Sequence, residues 1–156
     1  MVIFISGSIN SGKTTTGRAL AIKLDAKFID IDDLNDRIPN FDLAKDISKG
    51  IAIAINETNQ LTQQGKSVVL SYVIRDADRR QVLEGLDAKN PIFITLAPRL
   101  DVVLSDRGRG LSEWEIQRIK YHYDTNVAKP DFGEIIDNSD MSVDAVVMKI
   151  IELLKG

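Results

Sequence analysis

Cysteine is absent from the sequence, and histidine occurs once, at His122. Without thiols the chain has no disulfide, no thiolate metal site and no cysteine nucleophile, and a reducing cytoplasm is the simplest host. A basic excess is lacking too: 20 Lys and Arg stand against 23 Asp and Glu, a net charge of −3. Nucleic-acid binding, which draws on a basic surface, is therefore not expected. No apolar run approaches the roughly 20 residues that span a bilayer. Met1–Ser6 also lacks the charged start and cleavage site of a signal peptide. A soluble cytoplasmic protein without a membrane partner is expected. Prolines are few, and all four (Pro39, Pro91, Pro98, Pro130) fall between periodic segments.

What is present fits one α/β domain over residues 1–156. Apolar runs at Val2–Ser6, Lys27–Ile31, Ser67–Val73, Pro91–Leu96 and Glu134–Ile136 read as strands. Between them, Gly12–Leu24, Leu43–Gln64, Asp76–Leu86, Arg99–Ser105, Ser112–Asp124 and Ser142–Leu154 read as helices. Ser112 and Glu115 have the spacing of a capping box. Ile51–Ile55 alternates with a strand-like period of two, but its polar flanks keep helical propensity and no turn signal interrupts them, so helix is preferred. The alternation of elements predicts a parallel sheet with helices on both faces. Ligands of such sheets bind beyond the carboxyl ends of the strands.

The segment Gly7-Ser8-Ile9-Asn10-Ser11-Gly12-Lys13-Thr14 satisfies G-x-x-x-x-G-K-[ST] at every fixed position. Glycines let the backbone wrap an anion, and successive N–H groups with a helix start supply positive potential. Lys13 is expected at the β- and γ-phosphates, Thr14 on Mg²⁺, and Thr15 beside them. An apolar strand before the motif and a helix after it supply the right context.

The second strand closes on Asp30, Asp32 and Asp33. Read with period two, Asp30 and Asp32 share a side. Stacked carboxylates are costly unless a cation or a hydroxyl donor answers them. Asp30 is expected on the metal side and Asp32 as the base that orients an acceptor hydroxyl. Asp33 reads equally as a substrate neighbour or as the N-cap of a short helix.

Ser11–Asp32, SGKTTTGRALAIKLDAKFIDID, resembles the shikimate kinase-like group of small-molecule P-loop kinases, through Gly17-Arg18 and the Asp30–Asp32 pair. The resemblance implies a three-layer P-loop NTPase fold with strand order 2-3-1-4-5, ATP with Mg²⁺, and a small-molecule hydroxyl acceptor. Two marks of the shikimate kinases are missing: a glycine triplet after strand three, and an arginine within Ile51–Gln64. Leu70–Arg80 is more similar to adenylylsulfate and gluconate kinases, and chloramphenicol phosphotransferase has similar proportions. By the same resemblance, residues 106–112 form a lid over ATP, with Arg107 near adenine and Arg109 toward phosphate. Either arginine could be the catalytic one. The resemblance also sets Asn138 and Ser139 beside adenine, although a plain turn with Asp140 or Ser142 as N-cap fits the residues as well.

Near the acceptor, Arg75 reads either as an anion clamp or as a salt-bridge partner of Asp76 or Asp78, with Ser71, Tyr72, Asp33 and Arg37 as neighbours. His122 is read as a surface or packing residue, and Trp114 as packed under its helix. Arg118 either touches phosphate or pairs with Glu115. Together these readings predict ATP:hydroxyl phosphotransfer. A nucleotide switch without an acceptor, or a nucleoside or nucleotide kinase, are the alternatives.

Overall fold

Val2–Gly7 (β1) is buried at every residue, as a strand covered on both faces must be. The computed structural model describes residues 1–156. It continues with α1 (Lys13–Lys23), β2 (Lys27–Asp30), α2 (Ile31–Asn35), α3 (Ile47–Gln63) and β3 (Val68–Ser71). Then follow α4 (Asp76–Gly85), β4 (Ile92–Leu96), α5 (Leu100–Val103), α6 (Glu113–Asp124), β5 (Glu134–Ile136) and α7 (Val143–Lys155). The five strands form one parallel sheet in the order β2-β3-β1-β4-β5, as expected. No helix is long and apolar enough to cross a membrane.

The pleat of β1 divides the interior. Val2 and Phe4 join Ile51, Ala54, Ile55 and Val82 of α3 and α4 on one face. Ile3 and Ile5 join Leu20, Ala21, Val146, Val147 and Ile150 of α1 and α7 on the other. Burying one such side chain fully contributes about 1.5–3 kcal/mol, so the central strand anchors both layers. Phe4 stacks on Phe93 of the neighbouring β4 with ring centroids 5.1 Å apart.

The alternating Ile51–Ile55 stretch is helical. Ile51 and Ile55 are buried while Ile53 is exposed, which is the helical period and not the strand period. Its helix starts at Ile47, four residues later than the expected Leu43. The preceding residues instead fold into a turn in which Asp42 N–H donates to the Asp46 carboxylate at 2.9 Å.

A larger correction concerns the acidic run. β2 ends at Asp30 and α2 begins at Ile31, so Asp30 and Asp32 are not alternate strand residues. Asp30 is the N-cap, accepting a hydrogen bond from Asp32 N–H at 3.0 Å, and Asp33 lies in the exposed first turn. The Asp30 carboxylate thus meets the Asp32 backbone amide, as an N-cap does. The Gly17-Arg18 pair serves β2 packing: a Cβ at Gly17 would lie 2.8 Å from the Phe28 ring, and the Arg18 guanidinium sits 5.6 Å from that ring's centroid.

Candidate active site

The loop between β1 and α1 depends on its first glycine. Gly7 has φ +152°, and a Cβ there would lie 2.3 Å from Ser11 Oγ and 2.7 Å from the Leu96 carbonyl. No other residue fits without displacing β4. The loop closes at Gly12, the left-handed N-cap of α1, which has no side-chain cap. The first amides of α1 are thus left for a ligand.

Several later elements brace this loop. Asn10 Nδ2 donates to the carbonyls of Val103 at 2.8 Å and Ser105 at 3.2 Å. Asn138 Nδ2 donates to the Ser11 carbonyl at 3.0 Å. Ser8 Oγ and His122 Nδ1 are hydrogen-bonded at 2.8 Å in the interior. Burial and nearby cations push His122 down to about 4, so it is neutral at physiological pH.

Lys13 is only 8% exposed, and its Nζ donates to the Ser8 carbonyl at 3.3 Å. It takes part in no salt bridge. Burial lowers its pKa from the ordinary lysine value, with the charges of Asp32 and Asp30 opposing. A desolvated cation without a counter-ion, facing open amides, suits a polyanion. Beside it, Thr14 Oγ1 donates to Asp30 Oδ2 at 3.1 Å and lies 3.2 Å from Ser71 Oγ. These are hard oxygen donors of the type Mg²⁺ prefers. No group of three or more His, Asp or Glu side chains gathers to hold a metal unaided, so phosphate and water would complete any such site.

A cleft of about 440 Å³ opens over the loop. Residues 9–10 and 12–15 form its floor, and Asp32, Tyr72, Val73 and Arg75 form one wall. Leu43 and Ile47 close that side, while Trp114, Arg118 and His122 face the cleft from α6 at four-residue intervals. Asp32 is open to solvent through the cleft mouth, yet the walls around it raise its carboxyl above the ordinary value. Lys13 opposes this shift, and Asp30, Asp36 and Asp33 add to it.

Two arginines are already engaged. Arg109 grips Glu115 through two contacts of 3.1 and 2.6 Å, which holds the Glu115 carboxyl near 2. Glu115 also accepts from Ser112 N–H at 3.1 Å, completing the expected capping box. Arg75 makes a bidentate pair with Asp78, at 2.8 and 2.9 Å, matching one of its two sequence readings.

No protein-family model and no curated protein sequence matches the chain. Solved structures do match in shape. A sugar kinase from Janibacter sp. HTCC2649 aligns over 98% of this chain and 93% of its own, with TM-score 0.76 and 15% identity. A shikimate kinase from Acinetobacter baumannii aligns over 98% and 92%, with TM-score 0.71 and 20% identity. A gluconokinase from Sinorhizobium meliloti 1021 aligns over 99% and 95%, with TM-score 0.72 and 17% identity. The fold is that of the P-loop kinases.

Within this P-loop kinase fold, the expected residues separate into those at the cleft and those behind it. Ile9, Asn10, Gly12, Lys13, Thr14, Thr15, Asp32, Tyr72, Arg75 and Arg109 line the cleft. Gly7, Ser8 and Ser11 are buried members of the loop outside the lining, and Asp30 reaches the site through Thr14. Arg107 stands outside the lining and donates to the Asn10 carbonyl at 2.9 Å. Asp33, Asn138 and Ser139 are also outside it, Asn138 bracing the loop and Ser139 accepting from Arg99 N–H at 2.8 Å. His122 takes the packing half of its sequence reading, buried against the P-loop, whereas Trp114 differs from its reading and is 58% exposed at the cleft mouth. Their signal was the Trp114–Arg118–His122 spacing, a stripe on one helical face. Arg118 does not pair with Glu115, whose carboxylate Arg109 occupies; its guanidinium lies 5.2 Å from the Tyr121 ring centroid.

Proposed function

We propose that the protein transfers the γ-phosphoryl group of Mg·ATP to a hydroxyl of a small molecule. The observation that carries this reading is the placement of Lys13 and Asp32 in one cleft, a buried cation without a counter-ion facing a carboxylate of raised pKa. The Gly7–Thr14 amides would hold the triphosphate, and Lys13 would neutralise its β- and γ-oxygens. Thr14, backed by Asp30, would ligate Mg²⁺, which when bound offsets the charge that builds on the phosphates.

Asp32 orients the acceptor and takes its hydroxyl proton, a task suited to a carboxylate whose pKa is raised above the ordinary aspartate value. The loop 106–112 acts as the lid. Arg109 leaves Glu115 to meet the transferring phosphoryl group, while Arg107 and the Asn138–Ser139 turn border the adenine side. A cytoplasmic setting, where Mg·ATP is plentiful, suits this activity.

The test is label transfer from γ-labelled ATP to a panel of sugars, polyols and nucleoside monophosphates. Transfer to a non-nucleotide hydroxyl, abolished by Lys13→Ala and by Asp32→Ala, is the expected result. Preferential transfer to nucleoside monophosphates would make the protein a nucleotide kinase, and hydrolysis without any acceptor would favour a switch.

A further inference from the structure

We propose that the acceptor is an uncharged hydroxyl compound with an apolar ring face, gripped by hydrophobic contact and not by an anion clamp. This rests on the phosphotransfer reading, because the acceptor hydroxyl must come within reach of Asp32. Leu43, Ile47, Tyr72, Val73 and Trp114 share the cleft with that carboxylate. Tyr72 is 5% exposed, and its hydroxyl accepts from Asn35 Nδ2 at 3.3 Å, which fixes the ring as a rigid wall. Trp114 leaves a large apolar surface open at the cleft mouth. A ring laid against the indole would remove that surface from water.

The charges argue the same way. Asp32 puts a negative charge beside the acceptor, and a carboxylate or phosphate on the acceptor would be repelled unless a free cation answered it. None is available on this wall. Arg75 holds Asp78 in a bidentate pair, and Asp78 is only 3% exposed. Recruiting the Arg75 guanidinium to a ligand would leave that buried carboxylate without its counter-ion, held only by the Arg75 backbone N–H at 3.0 Å. Arg109 pairs with Glu115 and, when released, is committed to the transferring phosphoryl group, and Arg37 lies outside the cleft lining. Arg118 lines the cleft from α6, not from this wall, and makes no ion pair; its guanidinium lies 5.2 Å from the Tyr121 ring centroid, and its charge is assigned to the phosphates.

The sole tryptophan makes the test direct. Trp114 fluorescence is titrated, with Mg²⁺ and a non-hydrolysable ATP analogue present, against two matched trios. One is phenyl β-glucoside, phenyl β-glucuronide and glucose. The other is 1-phenyl-1,2-ethanediol, mandelate and glycerol. In at least one trio the neutral aryl compound is expected to bind tenfold or more tightly than both its anionic and its ring-free counterparts. Trp114→Ala, followed by calorimetry, should weaken that binding tenfold or more. Equal or tighter binding of the anion, no advantage for the ring, or no binding in either trio would overturn the proposal. A parallel titration with Mg·ATP alone separates the two failures. If Mg·ATP binds and the acceptor result is negative, only the acceptor class falls; if Mg·ATP does not bind, the phosphotransfer reading falls with it.

Discussion

Asp32 and His122 show how single residues here take their chemistry from their surroundings. As the proposed base, Asp32 works only when deprotonated, and its raised pKa should place the acidic limb of kcat/KM above the ordinary aspartate value of 3.8. The rate should fall as pH drops through that limb. Asp32→Ala should lower transfer by about 10²-fold or more and remove the limb, while Mg·ATP affinity, read by calorimetry, changes little. His122 bears on stability. Its folded pKa of about 4 lies below the ordinary 6.5, so the unfolded chain binds the extra proton first. The stabilisation is complete above pH 6.5 and is lost as pH falls toward 4. Urea titrations should show a slope of at most about 1.4 kcal/mol per pH unit across that window. His122→Asn, which keeps a polar partner for Ser8, should flatten it. Glu115, held near 2, loses its contribution below its ordinary 4.5, and its largest effect falls at lower pH than that of His122.

Between elements, the contact of α2 with α3 depends on a missing side chain. A Cβ at Gly50 would lie 1.7 Å from Asn35 Oδ1, and Asn35 in turn donates to the Tyr72 hydroxyl. Gly50→Ala should cost about 1–3 kcal/mol in urea denaturation through overpacking, and should disturb the wall formed by Tyr72. Nothing in the local sequence announces this contact, since the partners are fifteen residues apart and meet only when the helices dock. The strands were legible for the opposite reason: β1, β3 and β4 carry apolar runs that only a doubly covered sheet accommodates. The place of the Gly7–Thr14 motif between β1 and α1 was legible because its glycines and lysine have fixed spacing. The cap at Asp30 was not. Two aspartates two residues apart look alike in a strand and in a helix start, and the choice is made by where β2 stops pairing with β3, at Asp30 opposite Ser71.

At the scale of the whole molecule, a ligand that binds only the folded state should raise its stability. At one hundred times its dissociation constant, Mg·ATP should add about 2.7 kcal/mol. For a chain of this size that corresponds to a Tm increase of roughly 5–11 °C. Thermal scans of the parent should show this rise, and Lys13→Ala should abolish it. Both helical layers and the cleft share the one sheet, so ligand in the cleft is expected to shift the transition as a unit. The phosphate loop is written within the first fourteen residues, yet its guy-ropes come from Val103, Ser105, His122 and Asn138. On the ribosome, therefore, this loop emerges before the residues that brace it and must wait for them before it can take its working shape. The braced form of the loop is a late product of folding, although its own residues precede their braces.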